Sequence, residues 1–231
     1  MSSLPFARLL VAIGVVLQLV TASVVGGQVA GRHGDEHSAF ECTEDGLTRQ
    51  GSTGLGCQLL AKYAVAAFPD APLFWHVATF PTKDAAESAK GQIGFVADAE
   101  SKVWLFSFGP KDAAPRQGAP IASVGPLQLP SARSYEIVAY FVVMPAGAQT
   151  ATHTHSGPEA WYILEGTQCL ETPAGESHAA AGGSMVAPPN TPMQLTNPGP
   201  ALRRALFIVI HDASKPWVSP SNWKPTGRCL R

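Results

Sequence analysis

The sequence predicts a mainly β protein built from many short strands, with one short helix. Glycine and proline are frequent, 22 and 20 in 231 residues, so turns recur too often for long helices. The apolar runs are short and rich in β-branched and aromatic residues, as in IVAYFVVM at 137–144 and ALFIVIH at 205–211. Hydrophobic residues make up 45% of the chain and charged residues 14%, enough for a sizeable core. A net charge of -1, with no basic groove interleaved with aromatics, gives no reason to expect nucleic acid as a partner.

Residues 1–22 read as a signal peptide. Arg8 supplies a basic start, Leu9 to Val20 an apolar stretch interrupted only by Gly14 and Gln18, and Val20 and Ala22 a small-residue exit. The stretch is shorter than the roughly 20 residues of a spanning helix. The expectation is a secreted or periplasmic protein with no stable membrane span after cleavage. Residues 23–58 read as a flexible, polar lead-in, in which His33, Asp35, Glu36 and His37 are solvated. Export allows disulfides among Cys42, Cys57, Cys169 and Cys229, for which three full pairings exist. Cys42 with Cys57 is the most local loop. Cys229 can staple the tail to Cys57 or Cys169, and Cys169 can instead be a buried thiol.

Residues 59–130 read as an extension of strands and one helix. Leu59 to Phe68 suits a short helix or a buried strand, and Pro72 to Phe80 a strand. Pro81 to Lys90 suits a helix capped by Thr82 and stopped at Gly91. Ile93 to Ala97 and Lys102 to Phe108 form two more strands. Pro110 to Pro130, with five prolines, reads as a linker or long loop.

Residues 131–215 carry the main barrel. Strands are expected at 134–144, 150–155, 159–165, 168–172, 184–187, 192–196 and 205–211, with a turn at 173–176. Residues 216–231 form a Pro- and Trp-containing tail draped over it.

The densest chemistry lies at His153, His155 and Glu159. Alternation along a strand puts the two histidines on one face. Ser156-Gly157-Pro158 is a turn signal, and Glu159 opens the return strand beside them. Two imidazoles and a carboxylate suit one divalent ion of iron, manganese, nickel or zinc.

Gly147, five residues, His153, one residue, His155, three residues, Glu159, six residues and Gly166 match without a gap a pattern that resembles the first signature of the cupins. In their second signature Gly183 and Pro189 fit, but Thr191 replaces a glycine, Gln194 stands at the histidine, and Asn197 lies one position early. The resemblance covers roughly residues 135–212 and implies a double-stranded β-helix, or jelly-roll barrel, holding one metal, here with extra N-terminal strands and one short helix. It implies His153, His155 and Glu159 as ligands, with three readings of Gln194: a fourth ligand, a hydrogen-bond donor beside a three-ligand face, or the mark of a weakened site. No second copy of the histidine signature occurs, so one site is expected.

For function, the resemblance implies a metal-dependent oxidoreductase acting on a small organic molecule, similar to cupin dioxygenases that act on flavonols. A non-catalytic binding or storage cupin is the alternative. A sugar isomerase or epimerase is a third, for which His211 and Glu165 are the available acid–base pair. Cupins are often dimers, which sets the expectation of a homodimer. His211 otherwise reads as a satisfied strand-end residue, His76 as structural and His178 as solvent-facing in a loop. Phe141, Trp161, Tyr162, Met193 and Phe207 are candidates for the cavity wall or for ordinary core.

Overall fold

The computed structural model describes residues 40–42 and 55–230. The expected signal peptide and most of the lead-in lie outside these described residues. Among the described residues the strands and single α-helix are, in chain order, β1 (Gly56–Val65), β2 (Leu73–Phe80), α1 (Lys83–Ala89), β3 (Gly94–Ala99), β4 (Lys102–Gly109), β5 (Ala119–Leu127), β6 (Tyr135–Met144), β7 (His153–Thr154), β8 (Glu159–Glu165), β9 (Thr167–Thr172), β10 (Gly175–Ala180), β11 (Ser184–Ala187), β12 (Gln194–Thr196), β13 (Arg203–Asp212) and β14 (Ser219–Pro220). The fold is mainly β, a jelly-roll barrel with additional N-terminal strands and one short helix. Among the described residues no helix is long and apolar enough to cross a membrane.

The central sheet is antiparallel with order β1-β6-β13-β8-β11. Its strands lack polar alternation because both faces are covered. Ile137, Ala139, Phe141 and Val143 of β6, with Leu206, Ile208 and Ile210 of β13, pack in one core with Trp75, Phe95 and Phe106. Those three belong to a second sheet of order β3-β4-β2-β5 laid on the outside. Val138, Tyr140 and Val142, with Ala205, Phe207 and Val209, face the opposite way into the barrel, against Trp161, Leu195 and Trp217. The second wall of the barrel is the sheet β10-β9-β12, and β7 pairs with β14 from the tail. Helix α1 begins at Thr82, whose side chain accepts from the Ala85 amide, and buries Ala86 against Leu105 and Phe80.

Several local expectations change. Of Leu59 to Phe68, the part up to Val65 resolves as strand, since β1 extends the central sheet by pairing with β6. The expected loop at 110–130 contains β5, which pairs with β2. Its prolines are tolerated because β5 is an edge strand, where ladder donors are dispensable. His178 lies in β10, another edge strand, rather than in a loop; a sequence of Ser, His and Ala gives little strand signal. The cysteines pair as Cys42–Cys57 and Cys169–Cys229, so Cys169 is not a free thiol, and the second bridge ties the tail to β9.

Candidate metal centre

His153 and His155 lie on and just beyond β7, and Glu159 opens β8. The turn between them passes very close to β13. A Cβ added to Gly157 would sit 1.6 Å from the Ile210 carbonyl oxygen, so no other residue fits there without moving backbone. Gly166, at the far end of the same motif, has φ +78° and would place a Cβ 2.5 Å from the Leu202 oxygen. Two motif glycines are therefore explained by close backbone approach.

One ligand-type atom from each of His153, His155 and Glu159 falls within 4.8 Å of the others. Nε2 of His155 is 2.9 Å from Glu159 Oε2, and Nε2 of His153 is 3.7 Å from it. The closer pair is within hydrogen-bond distance but not aligned for a bond, and both His155 Nε2 and Glu159 Oε2 are buried without a hydrogen-bond partner. Buried polar atoms are rarely left so. The convergence on a shared point fits a bound cation.

Each histidine is oriented from behind. Nδ1 of His153 faces the Ala151 carbonyl at 2.8 Å, and Nδ1 of His155 faces the Trp217 carbonyl. A carbonyl only accepts, so each Nδ1 carries a proton and each Nε2 is the nitrogen left to face the cavity. Burial by itself raises the carboxyl pKa of Glu159, but the adjacent His155 and His153 outweigh it and hold the group down at about 2. The His153 imidazole is pushed below its ordinary value by burial and lifted above it, on balance, by Glu159.

The three residues line a cavity of about 210 Å³. Its wall is largely apolar, including Val142, Trp161, Leu195, Phe207 and Trp217, and it is completed by Phe40, Glu41 and Cys42. The end of the lead-in is thus part of the site, held by the Phe40 amide on the Gln149 oxygen and by the Cys42–Cys57 bridge.

Gln194 is not brought to this point. Its amide donates to the Thr150 carbonyl at 3.0 Å, and its oxygen accepts from Gln149 at 3.3 Å. The cavity-lining residue of β12 is Leu195. A strand presents alternate residues to opposite faces, so β12 turns Leu195 rather than Gln194 toward the cavity.

Residues 140–210 match the family model described as a cupin domain. This segment is a cupin domain. Among solved structures, the chain is similar to a cupin superfamily protein from Desulfitobacterium hafniense DCB-2, with 13% identity, TM-score 0.31, and coverage of 33% of this chain and 68% of that one. It is similar to a Cupin 2 conserved barrel domain protein from Salinispora arenicola CNS-205, with 22% identity, TM-score 0.31, and coverage of 34% and 65%. It is also similar to DMSP lyase DddQ from Ruegeria pomeroyi DSS-3, with 22% identity, TM-score 0.33, and coverage of 37% and 43%. The chain thus spans less than two thirds of the Salinispora and Ruegeria proteins. A comparison with curated proteins finds no match.

The cupin cavity contains one charged residue that reading the sequence passes over. Arg203, the first residue of β13, is 2% exposed and lines the wall. Burial lowers its guanidinium pKa to about 10, against the opposing pull of Glu159. Its parity with Ala205 and Phe207 is the signal that points it inward. Of the aromatic candidates, Trp161 and Phe207 line the cupin cavity, whereas Phe141 and Tyr162 face the outer core and Met193 is interior packing. His211 is buried and spent on Glu136 Oε2 at 3.2 Å and the Asp212 carbonyl at 3.0 Å. His76 is likewise structural, against the Pro110 carbonyl at 2.9 Å.

Proposed function

We propose that the cupin domain holds one divalent metal ion through Nε2 of His153, Nε2 of His155 and a Glu159 oxygen, and oxidises or cleaves a small organic molecule with oxygen. The observation that carries this reading is the convergence of three ligand atoms, two of them buried without partners, on one side of an otherwise apolar cavity. Iron, manganese, nickel and zinc all suit this donor set. A metal so held supplies a Lewis-acid centre with coordination positions left for substrate.

The chain's own residues prepare that chemistry. Ala151 and Trp217 fix both imidazoles as Nδ1–H tautomers, and Glu159 stays ionised at neutral pH, so one negative and two neutral donors face the cation. Val142, Trp161, Leu195 and Phe207 exclude water around the bound molecule, which strengthens the electrostatics at the centre. The cavity volume suits a small molecule rather than a drug-sized one.

A binding or storage role is the second reading. Among the described residues, the ionisable group on the cavity wall besides the three candidate ligands and Arg203 is the exposed Glu41, which leaves little general acid–base machinery there. The isomerase reading finds no support in the placement of its acid–base pair. His211 lies outside the cavity lining, and Glu165 pairs with Arg204 Nε at 3.0 Å. Two disulfides tying down segments around the site support the proposed export into an oxidising compartment.

Metal analysis of the purified mature protein tests the proposal. One equivalent per chain is expected after reconstitution, and it should be lost in His155→Ala and Glu159→Gln. Substoichiometric binding with all of iron, manganese, nickel and zinc rejects it. With metal bound, oxygen uptake across a panel of phenols and diketones separates the oxygen-using enzyme from the binding protein.

A further inference from the structure

The guanidinium of Arg203 has fewer partners than a buried charge requires. Nη2 donates to the Met144 sulfur at 3.1 Å, a weak acceptor. Nε and Nη1 are buried with no acceptor at all. Among the described residues Arg203 makes no ion pair. Of the two carboxylates on the cavity wall among the described residues, Glu159 sits against His155 and His153 and attracts Arg203 without pairing with it, and Glu41 is exposed. Arginine does not shed its proton in such a place. An unpaired buried charge is strongly destabilising unless something compensates it.

The wall around it is apolar, so the field of this charge is little screened inside the cavity. A divalent cation held by one carboxylate adds positive charge to the same space. The cavity therefore has room for a small molecule, an apolar surface for its body, and, among the described residues, a guanidinium that no carboxylate contacts directly.

We propose that the cavity selects small organic carboxylates, and that Arg203 supplies the positive charge that pairs with the carboxylate group. This narrows the ligand of the site and rests on reading that cavity as the working site of the domain. Arg203 is a specificity residue in this account. It is not one of the three metal-binding candidates, so its contribution should survive removal of the metal.

The test is calorimetric titration of the mature protein, metal-loaded and chelator-stripped, with acetate, butyrate and benzoate. Benzamide serves as the neutral match for benzoate. The acids should bind saturably in both states, with benzoate at least about tenfold tighter than benzamide, a difference of about 1.4 kcal/mol. Arg203→Met should abolish that preference without changing metal content, and Arg203→Lys should keep part of it. Arg203→Met should also raise the melting temperature of the ligand-free protein, because it replaces an unpaired buried charge with an apolar chain of similar length. The proposal is overturned if none of the acids binds, if benzamide binds as well as benzoate, or if Arg203→Met retains the preference. Should Arg203→Met fail to fold, the wild-type comparison and Arg203→Lys still decide. Acid preference seen only with metal present assigns the anion to the metal and rejects Arg203. Acid preference in a protein that takes up no metal leaves this proposal standing and rejects the metal reading.

Discussion

The ring of His155 meets the backbone carbonyl of Trp217, 62 residues later in the chain, so a candidate metal ligand is oriented by the C-terminal tail. The indole of Trp217 also stacks near the imidazole, with ring centroids 5.6 Å apart. The tail is fastened on both sides of this contact. β14 pairs with β7, Ser221 and Thr152 exchange hydrogen bonds, and Cys229 is bridged to Cys169. Deleting residues 217–231 should lower metal affinity roughly 10–100-fold, the usual range when an orienting partner of a ligand is lost. Competition with a chromogenic chelator measures this. An unchanged affinity would show that the tail plays no part in orienting His155.

Gln194 and Leu195 make a paired test of which face of β12 looks at the centre. Leu195→His should supply a fourth imidazole and tighten metal binding, because residue 195 lines the cavity. Gln194→His should change affinity little, since that side chain lies against Thr150 and Gln149. Metal titrations of the two variants read the difference directly. The opposite ranking would mean that β12 is out by one residue, which flips every side chain on it.

Glu171 gives the tail a pH limit. Burial raises its carboxyl pKa, but the hydroxyl and amide of Thr226, reinforced by the Cys229 and Arg228 amides, bring it below the ordinary 4.5. A carboxyl whose folded pKa is depressed stabilises the fold above its unfolded pKa and loses that contribution as pH falls through the folded value. The contacts of residues 226–229 should therefore loosen only below pH 4.5, while Cys169–Cys229 keeps the tail attached. Amide exchange of Thr226 should accelerate as pH falls below 4.5 in the native chain, and should already be fast and pH-insensitive, after correction for intrinsic rates, in Glu171→Gln.

What could be read in the chain and what could not follows from how local each relationship is. His153, His155 and Glu159 lie on one hairpin, so strand alternation and one turn signal bring them together without knowledge of the rest. The unbroken apolar runs of β6 and β13 already require cover on both faces, and the outer sheet supplies it. The face of Gln194 depends instead on the register of β12 against β9 and on the Met193–His153 bridge, long-range pairings that no local pattern specifies. Arg203 shares parity with the inward-facing Phe207, yet an arginine at a strand end ordinarily reads as exposed. β5 and β10 escaped because edge strands tolerate proline and small residues. The contribution of Phe40–Cys42 to the cavity is set by the Cys42–Cys57 bridge, in a stretch whose composition reads as solvated lead-in.

Gly157 joins the fold to the site in one atom. It sits midway between His155 and Glu159, and its Cα faces the backbone of Ile210 on β13 with no room for a methyl group. In Gly157→Ala either the turn or β13 has to move. β13 is paired on both sides, with β6 and β8, so the turn yields first, and it carries a candidate ligand at each end. The variant should lose about 1–3 kcal/mol of stability, as for overpacked sites, seen as a melting temperature lower by several degrees. It should also bind metal more weakly than its stability loss alone explains. Gly91→Ala is the control, because a Cβ there meets nothing within 4 Å, and it should leave both quantities unchanged. If Gly157→Ala melts earlier but binds metal normally, β13 has moved instead, and the ligand hairpin is stiffer than its neighbour.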